Sequence, residues 1–256
     1  MLVDSHCHLD APEFETDRQA VVERALAAGV RQQIVPAIEA AEWEHLREVC
    51  RTQNGLFPAY GLHPMFLPRH RLEHLQQLGD WMAREKPVAV GECGLDFFVE
   101  GLDLQDQQLY FDGQLQLARD FDLPVIVHAR RAVDAVIASF KRVGKLQGVV
   151  HSFSGSPEQA RQLWQLGFMV GIGGPATYAR ANRLRGLVAE MPLEYLLLET
   201  DAPDQPDAEI RGQRNEPARL SFICETVAQL RGVDAATIAA ATTANAQRLF
   251  NLPRVP

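Results

Sequence analysis

His6 and His8 stand two residues apart in Asp4-Ser5-His6-Cys7-His8-Leu9-Asp10, and Glu92, His128, His151 and Asp201 each end a short apolar run further along the chain. Imidazole and carboxylate are the side chains that hold catalytic divalent cations, so the residue types name a candidate chemistry. Taken singly, H-x-H or one histidine after an apolar run is also what a hydrogen-bonded core residue looks like. Taken together, these residues exceed the needs of one zinc ion. A catalytic zinc takes about three protein ligands plus water, whereas two ions about 3.5–4 Å apart need more, including a bridging anionic group. A carboxylate such as Glu92 suits that place. The expectation is two divalent ions held by His6, His8, Glu92, His128, His151 and Asp201, with ligand type leaving magnesium, manganese and zinc open.

Such residues act together only if the fold brings them to one place. Val- and Ile-rich runs alternate with longer stretches of helical period, the pattern of parallel βα units. Eight runs are expected as strands: Leu2–Leu9, Gln33–Ile38, Leu56–His63, Val88–Asp96, Pro124–Arg130, Gly148–Phe153, Phe168–Gly173 and Tyr195–Asp201. Helices are expected over Glu15–Ala28, ending at Gly29, and over Leu104–Phe121, stopped by Leu123-Pro124. Eight such units close into an α/β barrel of the TIM type, which takes about 250 residues and builds its active site from the C-terminal strand ends. The candidate ligands fall there. Residues 1–256 are therefore expected to form one barrel domain, with Ala202–Glu216 as a long polar loop. On strand one, alternation of side chains would turn His6 and His8 to the same interior and Cys7 away. His45, His70 and His74 lie in helical or loop segments and are expected at the surface.

Composition narrows the setting. The 256 residues are 46% hydrophobic and 23% charged, with a net charge of −8, which argues against a protein that coats nucleic acid through a broad basic surface. Cys7, Cys50, Cys93 and Cys224 form no C-x-x-C pair, so they read as small buried hydrophobes. The chain starts without a signal-peptide pattern and has no apolar run near the roughly 18 residues of a membrane span. A cytoplasmic location is the default expectation, with no membrane association and no obligate protein partner inferred.

The ordered motifs Asp4-Ser5-His6-Cys7-His8, Gly61-Leu62-His63-Pro64, Val90-Gly91-Glu92-Cys93-Gly94-Leu95-Asp96, Val127-His128-Ala129-Arg130, His151-Ser152-Phe153-Ser154-Gly155, Leu198-Glu199-Thr200-Asp201-Ala202-Pro203 and Arg214-Asn215-Glu216-Pro217 resemble the TatD family of metal-dependent deoxyribonucleases. The match spans nearly the whole chain. The resemblance implies that His6, His8 and Asp201 hold one ion, that His128 and His151 hold the other, and that Glu92 bridges them. It also implies hydrolysis of phosphodiester bonds, with DNA as the best-known substrate class and a 3′→5′ exonuclease-like action. Phe97 stands where many members carry Tyr, closer to a less characterised branch.

Four residues are expected to carry chemistry beyond ligation. Asp201 is the candidate general base and Glu92 the bridge. His63 either orients water or the leaving group, or is bonded to a carboxylate. Arg130 carries a planar donor fork suited to phosphate. Asp4 and Asp96 are expected to support the ligands, and Arg130, Arg131, Arg180, Arg183, Arg185, Arg211 and Arg214 to form a basic rim. The alternative class is a hydrolase of amides, lactones or carboxylic esters, whose barrels often bridge their metals with a modified lysine. Here Lys86 precedes strand four and Glu92 occupies the bridging position. A non-catalytic metal-dependent binding protein is the third class.

Overall fold

A computed structural model of the chain describes residues 1–254. Eight parallel strands follow one another in chain order: β1 (Leu2–Asp4), β2 (Val30–Pro36), β3 (Leu56–Tyr60), β4 (Ala89–Asp96), β5 (Val125–Arg130), β6 (Gly148–Val150), β7 (Phe168–Ile172) and β8 (Leu196–Leu198). At the seam between β8 and β1, the Ser5 N–H bonds the Leu198 carbonyl at 3.0 Å and the Asp201 N–H bonds that of His6 at 2.9 Å. The ring is thus a nearly closed TIM barrel, as expected. Every expected run overlaps a strand, but β2 begins at Val30, three residues before its run, because Val30-Arg31-Gln32 is not continuously apolar, and several other strands are shorter than their runs. β1 stops at Asp4, not Leu9.

The helices are α1 (Arg18–Ala27), α2 (Trp43–Arg51), α3 (Glu73–Glu85), α4 (Leu104–Phe121), α5 (Val133–Val143), α6 (Pro157–Gln165), α7 (Asn182–Glu190), α8 (Leu220–Arg231) and α9 (Ala235–Leu249). α4 has the bounds expected from sequence because both its ends are marked locally. The Asp103 carboxylate accepts the N–H groups of Gln105 and Asp106 at 2.8 and 2.9 Å, and Asp122 turns left-handed at φ 53° to end it. α1 starts later than expected. Pro12–Phe14 forms a tight 3₁₀ turn that buries Phe14, and the helix begins only at Arg18.

Strands buried on both faces read as continuous apolar runs, which is why they were legible. One side chain from each strand, from Val3 of β1 to Leu197 of β8, fills the barrel interior, and Ala246, Leu249, Phe250 and Leu252 close its N-terminal end. Burying a side chain such as Phe250 contributes roughly 1.5–3 kcal/mol. The opposite end is left to polar residues. Among the described residues no helix is long and apolar enough to cross a membrane.

Two surface expectations need correction. His70 and His74 are buried: His70 Nε2 lies 2.9 Å from the His63 carbonyl, and His74 Nδ1 accepts the Arg71 N–H at 3.3 Å. Both serve the β3–α3 connection, a role that spacing alone does not reveal. His45 is exposed, as expected.

Candidate metal centre

From the interior layer at Ala59, Ile126, Val149 and Leu197, steps of two along each chain segment reach His63, His128 and Arg130, His151, and Glu199 and Asp201. β1 and β4 break that rule. Val3 faces the interior, so strict alternation would turn Cys7 inward. Instead Cys7 packs in the outer core with Leu2, and His6 and His8 take the interior. On β4 the register advances three residues, Val90 to Cys93, while β5 advances two, Val125 to Val127. The extra residue is a bulge that sets Gly91 and Glu92 together opposite Ile126. A Cβ at Gly91 would meet the Cβ of Ile126 at 2.7 Å, so only glycine fits beside the bulge.

Everything converges on Glu92. Its Oε2 lies 3.2 Å from His6 Nε2 and 3.4 Å from His8 Nε2. Asp201 Oδ1 lies 3.4 and 3.6 Å from the same two nitrogens, which are 3.2 Å apart. Glu92 Oε1 lies 2.9 Å from His63 Nε2, 3.4 Å from His128 Nδ1 and 2.8 Å from His151 Nε2. Each carboxylate oxygen thus faces its own group of nitrogens.

The remaining ring atoms show what these groups can hold. His8 Nδ1 lies 3.2 Å from the Pro36 carbonyl, which can only accept, so the ring proton sits there and the Nε2 lone pair faces Glu92 and Asp201. His128 Nε2 lies 2.9 Å from Asp96 Oδ2, which leaves its Nδ1 lone pair facing Glu92. His151 Nε2 is buried 2.8 Å from Glu92 Oε1 and makes no well-formed hydrogen bond among the described residues. Lone pairs aimed at carboxylate oxygens repel unless a cation or added protons lie between them. The spacings around Glu92 Oε2, 3.2–3.6 Å, match the tetrahedral edge of about 3.3–3.6 Å that metal–ligand bonds of about 2.0–2.2 Å produce. The residues present therefore fit a divalent cation.

His63 differs. Its Nδ1 accepts the Met65 N–H at 3.1 Å, so in the neutral ring Nε2 carries the proton and donates to Glu92. Of the two roles open from sequence, this contact is the one expected of a carboxylate-bonded histidine. Burial, reinforced by the neighbouring His128 and His151, lowers its pKa to about 4, which keeps that ring neutral. Burial also opposes a charge on His8, yet Glu92 and Asp201 raise it to about 9. Burial raises Asp201 to about 6 against the pull of His151 and His8.

Asp96 and Asp4 act as supports. Asp96 fixes His128, and Asp4 accepts the N–H groups of His6 and Thr200 at 3.2 and 3.0 Å and the Thr200 hydroxyl at 2.6 Å, clasping β1 to β8. Glu199, quoted in a motif but given no role from sequence, is the residue that reasoning missed. It is buried, accepts the Ser152 N–H at 2.5 Å and lies 3.7 Å from His151 Nδ1. Its place two residues before Asp201, on the same face, was the available signal.

The centre forms the floor of a cavity of about 1100 Å³. Of the seven arginines expected at its rim, Arg130 alone lines it among the described residues. Arg214 instead bonds both oxygens of Asp17 at 2.7 and 2.8 Å, and Arg183 and Arg185 donate to the carbonyls of Ser154 and Ala176 at 2.7 and 3.0 Å. Their donors already serve backbone and carboxylate groups around the mouth. The Arg130 guanidinium stacks 3.7 Å above the Phe98 ring with no acidic partner among the described residues, and Arg18 and Arg69 line the cavity unforeseen.

Comparison with known proteins assigns the chain to a family. YjjV of Escherichia coli K12, described as an uncharacterized metal-dependent hydrolase, is 43% identical over 254 residues, covering 98% of each chain. A Danio rerio protein with a provisional deoxyribonuclease name is 33% identical over 262 residues, covering 97% of each. The crystal structure of YjjV superposes with a TM-score of 0.94 at 42% identity over 98% of both chains. The family model described as TatD related DNase matches residues 3–251. The chain belongs to the TatD family of metal-dependent hydrolases.

Proposed function

We propose that the chain hydrolyses phosphodiester bonds, with DNA as the leading substrate class, using two divalent ions bridged by Glu92. The observation that carries this reading is the division of Glu92, one oxygen facing His6 and His8 beside Asp201, the other facing His128 and His151. His6, His8 and Asp201 would hold one ion, and His128 and His151 the other. Bound there, the ions supply Lewis acidity at the phosphoryl oxygens and a water acidified toward neutral pH. Asp201, whose Oδ1 lies 3.4 and 3.6 Å from the Nε2 atoms of His6 and His8, would stand beside that water as its general base. His63 holds Glu92 in place through its Nε2–H. Arg130, pre-set over Phe98 at the cavity edge, donates to a non-bridging phosphoryl oxygen and orients the diester. The family description and the Danio rerio relative's name support nucleic acid as substrate.

The test is to strip metals with chelator, restore magnesium, manganese or zinc separately, and assay single-stranded DNA, RNA and a carboxylic ester panel with Glu92→Gln as control. Metal-restored nucleotide release that the variant loses is expected. Ester or lactone turnover without nucleotide release would keep the centre and overturn the phosphodiester reading.

A further inference from the structure

The cavity above the metal centre is electrically lopsided. Asp10, Glu13 and Glu15 enter it from the β1–α1 connection and Glu42 from the β2–α2 connection. No cation within salt-bridge distance answers these four carboxylates among the described residues, and Asp10 Oδ1 is buried without any partner. The nearby cations do not offset them fully. Arg69 is paired with Glu39 at 2.6 Å, and Arg18, bonded to the neutral carbonyls of Leu9 and Asp10 at 2.8 and 3.2 Å, brings a single positive charge against four carboxylates. Strand order then fixes what faces this wall. In a ring of eight strands in chain order, β1 stands across from β5 and β2 across from β6. The opposite lip therefore carries Arg130 from the end of β5 and the uncharged Ser154 from the β6–α6 connection.

We propose that the cavity selects substrates by the charge on each side of the scissile group. It takes a diester whose substituent facing Asp10, Glu13, Glu15 and Glu42 is neutral or cationic, and any further negative charge lies toward Arg130. Negative charge on both sides is disfavoured, because one of the two must then approach the acidic wall. The wall carboxylates of Glu13 and Glu15 are exposed, so the preference is strongest at low ionic strength and fades once the screening length falls below about 10 Å. This inference rests on the phosphodiester reading for the identity of the reacting group, but the charge preference is a separate property of the cavity walls.

Three chromogenic nitrophenyl phosphodiesters test it on the metal-loaded protein. One bears an ammonium on its alkyl group, one a plain alkyl group, and one a carboxylate on both alkyl and aryl groups, so that either orientation puts a negative charge at the wall. The matching phosphonates, with the scissile P–O bond replaced by P–C, report binding alone by calorimetry. The expected order of kcat/KM and of affinity is ammonium, then neutral, then double carboxylate, spanning on the order of ten-fold at low salt. In the Glu13→Gln/Glu15→Gln/Glu42→Gln variant, the ratios to the neutral diester contract to within about two-fold because three of the four wall charges are gone; Glu13→Gln/Glu15→Gln, altering exposed positions only, gives a partial contraction and guards against misfolding. An equal or reversed order, or one that survives the triple substitution, overturns the inference. Turnover without a charge order sinks this inference and leaves the phosphodiester reading standing. Ordered phosphonate binding without turnover of any diester does the opposite, and no binding of any phosphonate sinks both.

Discussion

Asp96 holds His128 with one carboxylate oxygen, Oδ2 to Nε2 at 2.9 Å, and uses the other to accept the N–H groups of Phe98 and Val99 at 2.8 and 3.0 Å. One side chain thus ties the β4 loop, which carries Phe98, to the ring proton of a candidate ligand. Asp96→Asn keeps the loop bonds through its carbonyl oxygen but turns an NH₂ toward His128 Nε2. The ring proton is then driven to Nδ1, the atom that faces Glu92. Metal affinity at the His128–His151 side is expected to fall by about 10–100-fold, read by competition with a graded chelator. Two ions bound as tightly as in the parent would show that the tautomer does not matter.

Gly171 on β7 is the ground on which Glu199 rests. A Cβ at this position would lie 2.0 Å from Glu199 Oε2 and 3.1 Å from the Cα of His151. Gly171→Ala should cost about 1–3 kcal/mol as an overpacked core change, a fall in Tm of roughly 2–4 °C per kcal/mol for a chain of this size, together with reduced metal uptake. Gly186→Ala in α7, where a new Cβ meets nothing within 4 Å, is expected to leave both unchanged or gain slightly. Equal behaviour of the two variants would remove Glu199 from the support of His151.

Metal entry should release protons. Burial works against a charged His8, but Glu92 and Asp201 lift it to about 9, and His128 and His151 are also raised because their carboxylate neighbours outweigh burial. Below those pKa values the metal-free centre holds protons on nitrogens whose lone pairs a cation needs. Affinity is therefore expected to be weakest in acid and to rise with pH toward about 9, the value for His8. Calorimetry at neutral pH in buffers of different ionisation enthalpy should show net proton release on metal binding. Binding without proton release would contradict the assigned lone pairs.

Asp201→Asn separates ligation from base chemistry. The amide oxygen still reaches the His6–His8 side, where Oδ1 now lies 3.4 and 3.6 Å from the two nitrogens, but it takes up no proton. A drop in kcat of about 10²–10⁴-fold is expected, with metal content measured in the same preparation. Full activity with both ions present would reject Asp201 as the base.

Much of this protein was written in its local pattern. Buried parallel strands must be apolar along their length, so all eight could be read, and α4 carries its own start and stop in Asp103 and Asp122. On β3, β5, β6 and β8 the step of two from the interior layer is enough to aim His63, His128, His151 and Asp201 at the mouth. The candidate ligands were therefore nameable before any contact was known.

Other features belong to the tertiary structure alone. The inward turn of Glu92 depends on a bulge opposite Ile126, a relation between two strands that neither one encodes. His6 and His8 reach the interior although β1 ends before them and alternation from Val3 would have turned Cys7 inward; alternation gave only that the two histidines share a face. Which nitrogen is free is fixed for His8 by Pro36 and for His128 by Asp96, 28 and 32 positions away along the chain. Charge was the least legible, because an arginine counts at the mouth only if no nearer carboxylate or carbonyl claims it: Arg214 went to Asp17, and Arg130 stayed free over Phe98. Sequence determined which groups this protein owns and the strand ends on which they sit. Only the closed barrel decided their directions, their protons and their partners, since those follow from distances between segments that the chain brings together last.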